Sequence, residues 1–275
     1  MKVVLFCGGL GMRLRDYSEI VPKPLVKIGT MPILWHVMKY YAWYGHTDFM
    51  LCLGYQGEAI KNYFLNYNEC ISNDFILSNG GKNIELLSND IQNWRIQFVT
   101  TGMHANIAQR LGAVEPFLKG EDEFLANYCD GLTDLHLPDL IDYFHKKGKI
   151  ATFLSVRPNL TYHFVSTKNG GIVTGLHDIQ GSNIRINGGY YVFKKDIFRY
   201  LSSGRELVEE PFQRLIKEEQ LTAYVYDKFW ACMDTFKDKQ TLEDIYASGN
   251  VPWEVWKTSP KAPKANYLRK VLRTA

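Results

Sequence analysis

The chain begins with a short apolar run, Val3-Val4-Leu5-Phe6, that passes straight into Gly8-Gly9-Leu10-Gly11-Met12-Arg13-Leu14, with Pro22-Lys23-Pro24 following. A strand that ends in a glycine-rich turn brings bare backbone N–H groups close to a phosphate chain, and an arginine and a lysine at its edge can neutralise that chain. This reads as the front half of a nucleoside-triphosphate site. A dinucleotide-binding turn would need a third glycine where Leu14 stands, and an acidic residue about twenty positions on. A Walker loop would need Gly-Lys-Ser/Thr after four intervening residues, which this stretch lacks.

Strand and helix alternate through the first half, the pattern of a mostly parallel sheet with helices on both faces. Pro32 suits a first helical turn, and Ile33, Leu34, Val37, Met38 and Tyr41 repeat with helical spacing. Strands are expected at 48–53, 95–100 and 124–128, with helices at 58–67 and 106–117. The strand at 124–128 delivers Cys129-Asp130-Gly131 at its C-terminal end, where ligands of open α/β sheets gather. Between Asn66 and Trp94 the chain turns polar and asparagine-rich, and Gly80-Gly81 marks a hairpin tip. From Ile150 onward strands dominate, at 150–156, 163–167, 172–176 and 185–193, and helices at 211–219 and 236–247 close the fold. No linker or internal repeat divides the chain, so it reads as one unit, 1–275.

The 275 residues are 46% hydrophobic, enough for a well-filled core. A net charge of +3, with basic residues scattered except in the tail from Lys257 to Arg273, argues against a nucleic-acid partner. The five cysteines, Cys7, Cys52, Cys70, Cys129 and Cys232, are an odd set without paired spacing. They suggest neither a disulfide framework nor a zinc site, and a reducing cytoplasm fits them. No signal-peptide pattern opens the chain, and no apolar run has the length to span a bilayer.

The elements Gly8-Gly9-x-Gly11-x-Arg13-Leu14 and Pro22-Lys23-Pro24 resemble the signature of the sugar-1-phosphate nucleotidyltransferases, which join a nucleoside triphosphate to a sugar phosphate and release pyrophosphate. Within that family the chain is most similar to the glucose-1-phosphate cytidylyltransferases. Matching stretches run in the family's order nearly end to end: Pro32 to Met38, Gly54-Tyr55-Gln56-Gly57, Arg110-Leu111, Asp130-Gly131, Ile186-Asn187-Gly188-Gly189, Phe229-Trp230, Met233-Asp234-Thr235 and Pro252 to Trp256. The resemblance implies a Rossmann-like, GT-A-like mixed sheet, mostly parallel and flanked by helices, with a small β-rich sugar-binding subdomain. Residues 1–149 would form the nucleotide half and 150–275 the sugar-phosphate half. It also implies a homo-oligomer, with the hairpin around Gly80-Gly81 either a subunit contact or simply solvated.

The implied reaction is in-line attack of a sugar-phosphate oxygen on the α-phosphorus of CTP, giving a CDP-sugar with glucose 1-phosphate as the default acceptor. The nucleophile is already anionic, so catalysis rests on positioning and charge neutralisation. Two phosphates must approach, which calls for basic groups and a divalent cation. Mg²⁺ takes oxygen ligands, often only one or two carboxylates. The resemblance places those ligands at Asp130 and Asp234, although from the residues alone Asp234 could instead cap the helix ahead of Phe236. Asp134 reads as a turn residue. Arg13 and Lys23 are the expected catalytic cations, arginine as a fork on the pyrophosphate and lysine as a point charge. Gly8, Gly9, Leu10, Gly11, Met12, Gly54, Tyr55, Gln109 and Arg110 are expected to hold the nucleotide. Gln109 either reads a pyrimidine edge or faces solvent. Tyr128, Asn187 and Gly188 are expected around the sugar.

The chain departs from the family where a Glu-Lys-Pro run normally supplies a lysine to the sugar phosphate: Asp178-Ile179-Gln180 stands there, and Ala108-Gln109 replaces a pair of glycines. Losing one charge-assisted hydrogen bond weakens phosphate binding by about ten- to a hundredfold. Arg185, two residues before Asn187 and so on the same strand face, is the expected substitute cation. The loop from Arg157 to His163 also departs from the family pattern. These changes leave open another pyrimidine triphosphate, another phosphorylated acceptor, or a non-catalytic nucleotide-sugar-binding relative.

Overall fold

The computed structural model describes residues 1–9, 21–158, 163–178, 183–202 and 204–258. Strand β1 (Val3–Phe6) is followed by helix α1 (Ile33–Trp43), β2 (Asp48–Leu53) and α2 (Gly57–Leu65). A hairpin of β3 (Phe75–Ser78) and β4 (Asn83–Leu86) precedes β5 (Arg95–Thr100), α3 (Ile107–Val114), β6 (Glu123–Asn127), the short β7 (Gly131–Thr133) and α4 (Leu137–Lys147). The second half contains β8 (Ala151–Val156), a hairpin of β9 (His163–Lys168) and β10 (Ile172–Asp178), β11 (Ile186–Lys194), α5 (Glu210–Lys217), β12 (Leu221–Val225), β13 (Trp230–Cys232) and α6 (Phe236–Ala247).

Seven strands form one sheet in the order β12-β8-β11-β6-β1-β2-β5. Only β11 runs against its neighbours; every other adjacent pair is parallel. β1 is buried throughout because helices cover both of its faces. Side chains alternate along it: Val3, Leu5 and Cys7 pack with Leu34, Val37 and Met38 of α1, while Val4 and Phe6 pack with Ala108, Leu111 and Val114 of α3. The first face also takes Leu140 and Phe144 of α4 and Leu242 of α6; the second takes Phe212 and Leu215 of α5.

Most expected elements lie within two or three residues of their sequence ranges. The helix expected over 106–117 stops at Val114 and tightens into a 3-10 turn over Glu115–Leu118, because Pro116 has no N–H to continue the ladder. Helix α4 and strands β7, β12 and β13 were not anticipated. For α4 the signals were there: Pro138 in the first turn, buried Leu137, Leu140 and Phe144 at helical spacing, and left-handed Gly148 closing it.

Helix α1 is buried on nearly every side, as an all-round apolar helix must be. Its His36 is 1% exposed. The Nε2–H donates to Ile28 O at 3.0 Å and Nδ1 accepts from Trp253 Nε1–H at 3.3 Å, a pairing assigned to the neutral ring. Trp253 and Trp256 close over it, the latter stacked. Burial pushes the imidazole pKa down to about 4. Between the ordinary 6.5 and that value the unfolded chain binds a proton that the native protein refuses, so stability falls on acidification through this window. The protein is expected to lose about 2 kcal/mol between pH 7 and pH 5 from this residue. Urea midpoints measured across that range should fall more steeply for the parent than for His36→Gln; parallel slopes would refute the assignment.

Candidate active site

Three segments remote in sequence meet beyond the C-terminal end of β6. Lys23 Nζ lies 2.7 Å from Asp130 Oδ2 and 2.7 Å from Asp234 Oδ1. Each partner is placed by local chemistry. Pro22 and a 3-10 turn over Lys23–Leu25, with Pro24 buried, fix the lysine. After β6, Asn127 Oδ1 accepts the Cys129 N–H at 2.7 Å, and Cys129 takes a left-handed conformation with φ +66°. That reversal aims Asp130 outward and starts β7, which pairs with β13 so that Gly131 faces Cys232. The Met233 N–H then donates to Asp130 O at 2.8 Å, bringing Asp234 alongside.

The helix cap that Asp234 could have supplied belongs to Thr235. Its hydroxyl accepts the Asp238 N–H, and the Asp238 carboxylate reaches back to the Thr235 N–H at 2.8 Å, a capping box worth about 1 kcal/mol. Burial works against the Lys23 charge, yet the two carboxylates hold its pKa above the usual lysine value. Burial raises the Asp130 pKa, Lys23 offsets this only in part, and the Asp234 charge adds to the rise. Hard oxygens from two carboxylates around one cationic centre suit a small divalent cation whose remaining ligands are phosphate oxygens and water.

The glycine turn is held from below by Arg110. This buried guanidinium donates to Gly8 O at 2.8 Å, Thr101 Oγ1 at 2.8 Å and Gly102 O at 2.9 Å, with longer bonds to Leu53 O and Met103 O. It thus ties the ends of β1, β2 and β5 together. Gly8 and Gly54 are glycine because there is no room for more: a Cβ on Gly8 would strike the Arg110 guanidinium, and one on Gly54 would sit 2.6 Å from Gly8 O. The Tyr55 N–H reaches the same Gly8 oxygen at 3.4 Å.

Above this floor lies a cleft of about 600 Å³. One side carries Lys23, Asp130 and Asp234; the other is built by Met103, Ala105, Asn106 and Ile107 before and at the start of α3, with Glu206 against them. Gly8, Gly9, Arg110 and Tyr128 line it as well, whereas Leu10, Gly11, Met12 and Arg13 lie outside the described residues. The wall at 103–107 and Glu206 were missed by sequence reasoning. Neither carries a motif; the only signal was position, just past the C-terminal end of β5.

Several expected positions are engaged elsewhere. Gln109 does not line the cleft: its Oε1 accepts the Asn106 N–H at 2.9 Å in the capping box of α3. Arg185, expected as the substitute cation, donates to Asp227 Oδ1 at 2.7 Å and to Ser155 O and Tyr226 O, because β11 begins only at Ile186 and the arginine turns toward the end of β12. Arg157 joins it on the same Asp227 oxygen at 2.9 Å. Asn187 folds back on its own strand, with Oδ1 accepting the Gly189 N–H at 3.0 Å and the amide donating to Tyr191 Oη. Left-handed Gly189 makes room for the Tyr128 ring, which a Cβ would approach to 2.8 Å. Gly188 O accepts Trp230 Nε1–H at 2.9 Å, linking β11 to β13. Ile179 and Gln180 lie outside the described residues.

Strand ends gathered under a glycine turn, with paired carboxylates and a lysine beside it, define a nucleotide-handling α/β fold. The family profile described as "Nucleotidyl transferase" matches residues 2–243. A Bacillus subtilis protein named "Probable glucose-1-phosphate cytidylyltransferase" is 35% identical over 258 residues, 93% of this chain and all of its own. A Salmonella typhimurium protein named "Glucose-1-phosphate cytidylyltransferase" is 34% identical over 257 residues, with the same coverage. The solved structure of UDP-glucose pyrophosphorylase complexed with UDP-glucose superposes with a TM-score of 0.67 at 14% identity, covering 90% of this chain and 99% of that one. The chain belongs to the nucleotidyl transferase family, and it is a nucleotidyltransferase enzyme.

Gly54→Ala is expected to fold but to lose about 1–3 kcal/mol, since the new methyl must displace the Gly8 carbonyl or Arg110. Triphosphate affinity, read by calorimetry, should fall with it. Parent-like stability would mean the two turns do not constrain each other.

Proposed function

We propose that this enzyme joins CTP to a sugar 1-phosphate, with α-D-glucose 1-phosphate as the default acceptor, to give a CDP-sugar and pyrophosphate, with Mg²⁺ as cofactor. The observation that carries the reading is the convergence of Lys23, Asp130 and Asp234 at 2.7 Å contacts on the rim of the cleft. The names of the two relatives support CTP and glucose 1-phosphate as first substrates to test.

Among the described residues, the cleft offers Lys23 against Asp130, Asp234 and Glu206, with Arg110 already satisfied by the protein. Alone, that set repels a triphosphate. Asp130 and Asp234 would hold the Mg²⁺, which when bound neutralises charge on phosphate oxygens and on both acids. Lys23, on the same rim, would offer its ammonium to the non-bridging oxygens of the α-phosphate and stabilise the charge that builds as the acceptor oxygen approaches. The Gly8-Gly9 backbone orients the triphosphate, and Arg110 keeps that backbone in place through Gly8 O. Arg13 is carried forward as the second cation, on the leaving pyrophosphate.

Pyrophosphate release should be greatest with CTP and glucose 1-phosphate in a panel of triphosphates and sugar phosphates, should vanish with EDTA and should return with Mg²⁺. Silence with every pair would refute the reading. Asp130→Asn, Asp234→Asn and Lys23→Gln should each lower kcat by about 10²–10³; thermal stability should stay near or above the parent value in the two aspartate variants and fall in Lys23→Gln, which leaves two acids facing each other. A drop in only one of the two aspartate variants would remove the shared-cation arrangement.

The reading includes a homo-oligomer working in the cytoplasm. No helix among the described residues is long and apolar enough to cross a membrane. The β3–β4 hairpin carries exposed Phe75, Leu77 and Ile84 on one face, opposite Ile76 and Glu85, an apolar face of the kind that subunit contacts cover. Light scattering should give a multiple of the chain mass, reduced by Leu77→Glu; a monomeric parent would refute it.

A further inference from the structure

Glu206 is the one carboxylate lining the cleft, among the described residues, that does not belong to the Lys23 cluster. The two ends of the cleft rest on opposite faces of the sheet. Val26, Leu132, Met233 and Leu242, around Lys23, Asp130 and Asp234, belong to the core of the α1 face. Leu207, next to Glu206, packs with Ala108 and Leu111 in the core of the α3 face. The cleft therefore crosses the C-terminal edge of the sheet, with the phosphate chemistry on one side and Glu206 on the other.

The 204–207 segment is pinned to the start of α3. Asn106 Nδ2 donates to Gly204 O at 2.8 Å, the Leu207 N–H donates to Glu206 Oε1 at 2.8 Å, and the Ile107 N–H reaches Oε2 at 3.4 Å. A carboxylate offers about four acceptor positions and no donor. Two backbone N–H groups fix its orientation and leave lone pairs toward the cleft. The same cleft is lined by Phe6, Met103, Ala105, Ile107 and Tyr128, surfaces suited to a flat ring.

Resting on the proposed reading, we infer that Glu206 reads the base, favouring a pyrimidine with an exocyclic amino group over one with a carbonyl there. The 4-amino group of cytosine donates to an acceptor-only side chain. Uracil presents a carbonyl oxygen at that position, and its single ring N–H is flanked by two carbonyls that oppose the second carboxylate oxygen. A site built to accept a particular N–H rejects the analogue that lacks it, because its own acceptor is then left unpaired. Gln109, which sequence suggested for this task, does not line the cleft, and its Oε1 is held in the cap of α3.

The test compares CTP and UTP, by kcat/KM and by calorimetric binding, in the parent, E206Q and E206A. Glu206→Gln keeps an oxygen for the shorter bond from the Leu207 N–H and gives up only the long one from Ile107, while Asn106 still holds Gly204 O, so the segment stays pinned. The parent should prefer CTP, and E206Q should lower that preference by about ten- to a hundredfold while its melting temperature stays within a few degrees of the parent. An unchanged preference, or equal weakening of both nucleotides as expected if Glu206 held ribose hydroxyls, would overturn the inference. Should the parent turn over neither nucleotide, the transferase reading fails, and the binding ratio still decides the role of Glu206.

Discussion

One ionic contact organises the functional end of this molecule: a lysine ammonium shared by two carboxylates from segments 107 and 211 positions away in the chain. Three partly buried charges meet there with one cation against two acids; removing either acid leaves a neutral pair, whereas removing Lys23 would leave two carboxylates facing each other in a low-dielectric site. The excess of negative charge is what makes the arrangement useful. It holds Lys23 protonated, and it leaves two acids in want of a further cation, which in the proposed reaction arrives with the triphosphate.

A second buried cation does a different job. Arg110 sits below the glycine turn with its donors directed at the Thr101 hydroxyl and at backbone carbonyls from the ends of three neighbouring strands. A carbonyl oxygen has two lone pairs, and a planar five-donor group can engage several such oxygens at once, here beside the N–H groups that already reach Gly8 O and Leu53 O. The turn that meets phosphate is thereby tied to the sheet. This is why Gly8 and Gly54 cannot accept a side chain: the space a Cβ would need is taken by the guanidinium and by the opposing turn.

The two sides of the cleft inherit their separation from the sheet. Alternation along β1 sends Leu5 and Cys7 to one core and Val4 and Phe6 to the other, so loops anchored on the two cores emerge on opposite sides of the same strand end. The acids and Lys23 stand on the α1 side; the wall from Met103 to Ile107 and Glu206 stand on the α3 side. A ligand with a charged end and a flat uncharged end matches that division.

Sequence by itself determined which segments are apolar enough to be buried strands, that Pro32 opens a helix, and that glycine, lysine and aspartate cluster at strand ends; the helix stop before Pro116 was missed. Those features are legible because they depend on neighbours within a few residues. The tertiary structure alone decided that Gln109 caps its own helix, that Arg185 turns to Asp227 rather than to the cleft, that Thr235 rather than Asp234 caps α6, and that Glu206 faces the site. The physical reason is that a polar side chain satisfies its hydrogen bonds with whatever lies nearest in space, and proximity across a sheet is set by packing between strands that no local pattern encodes.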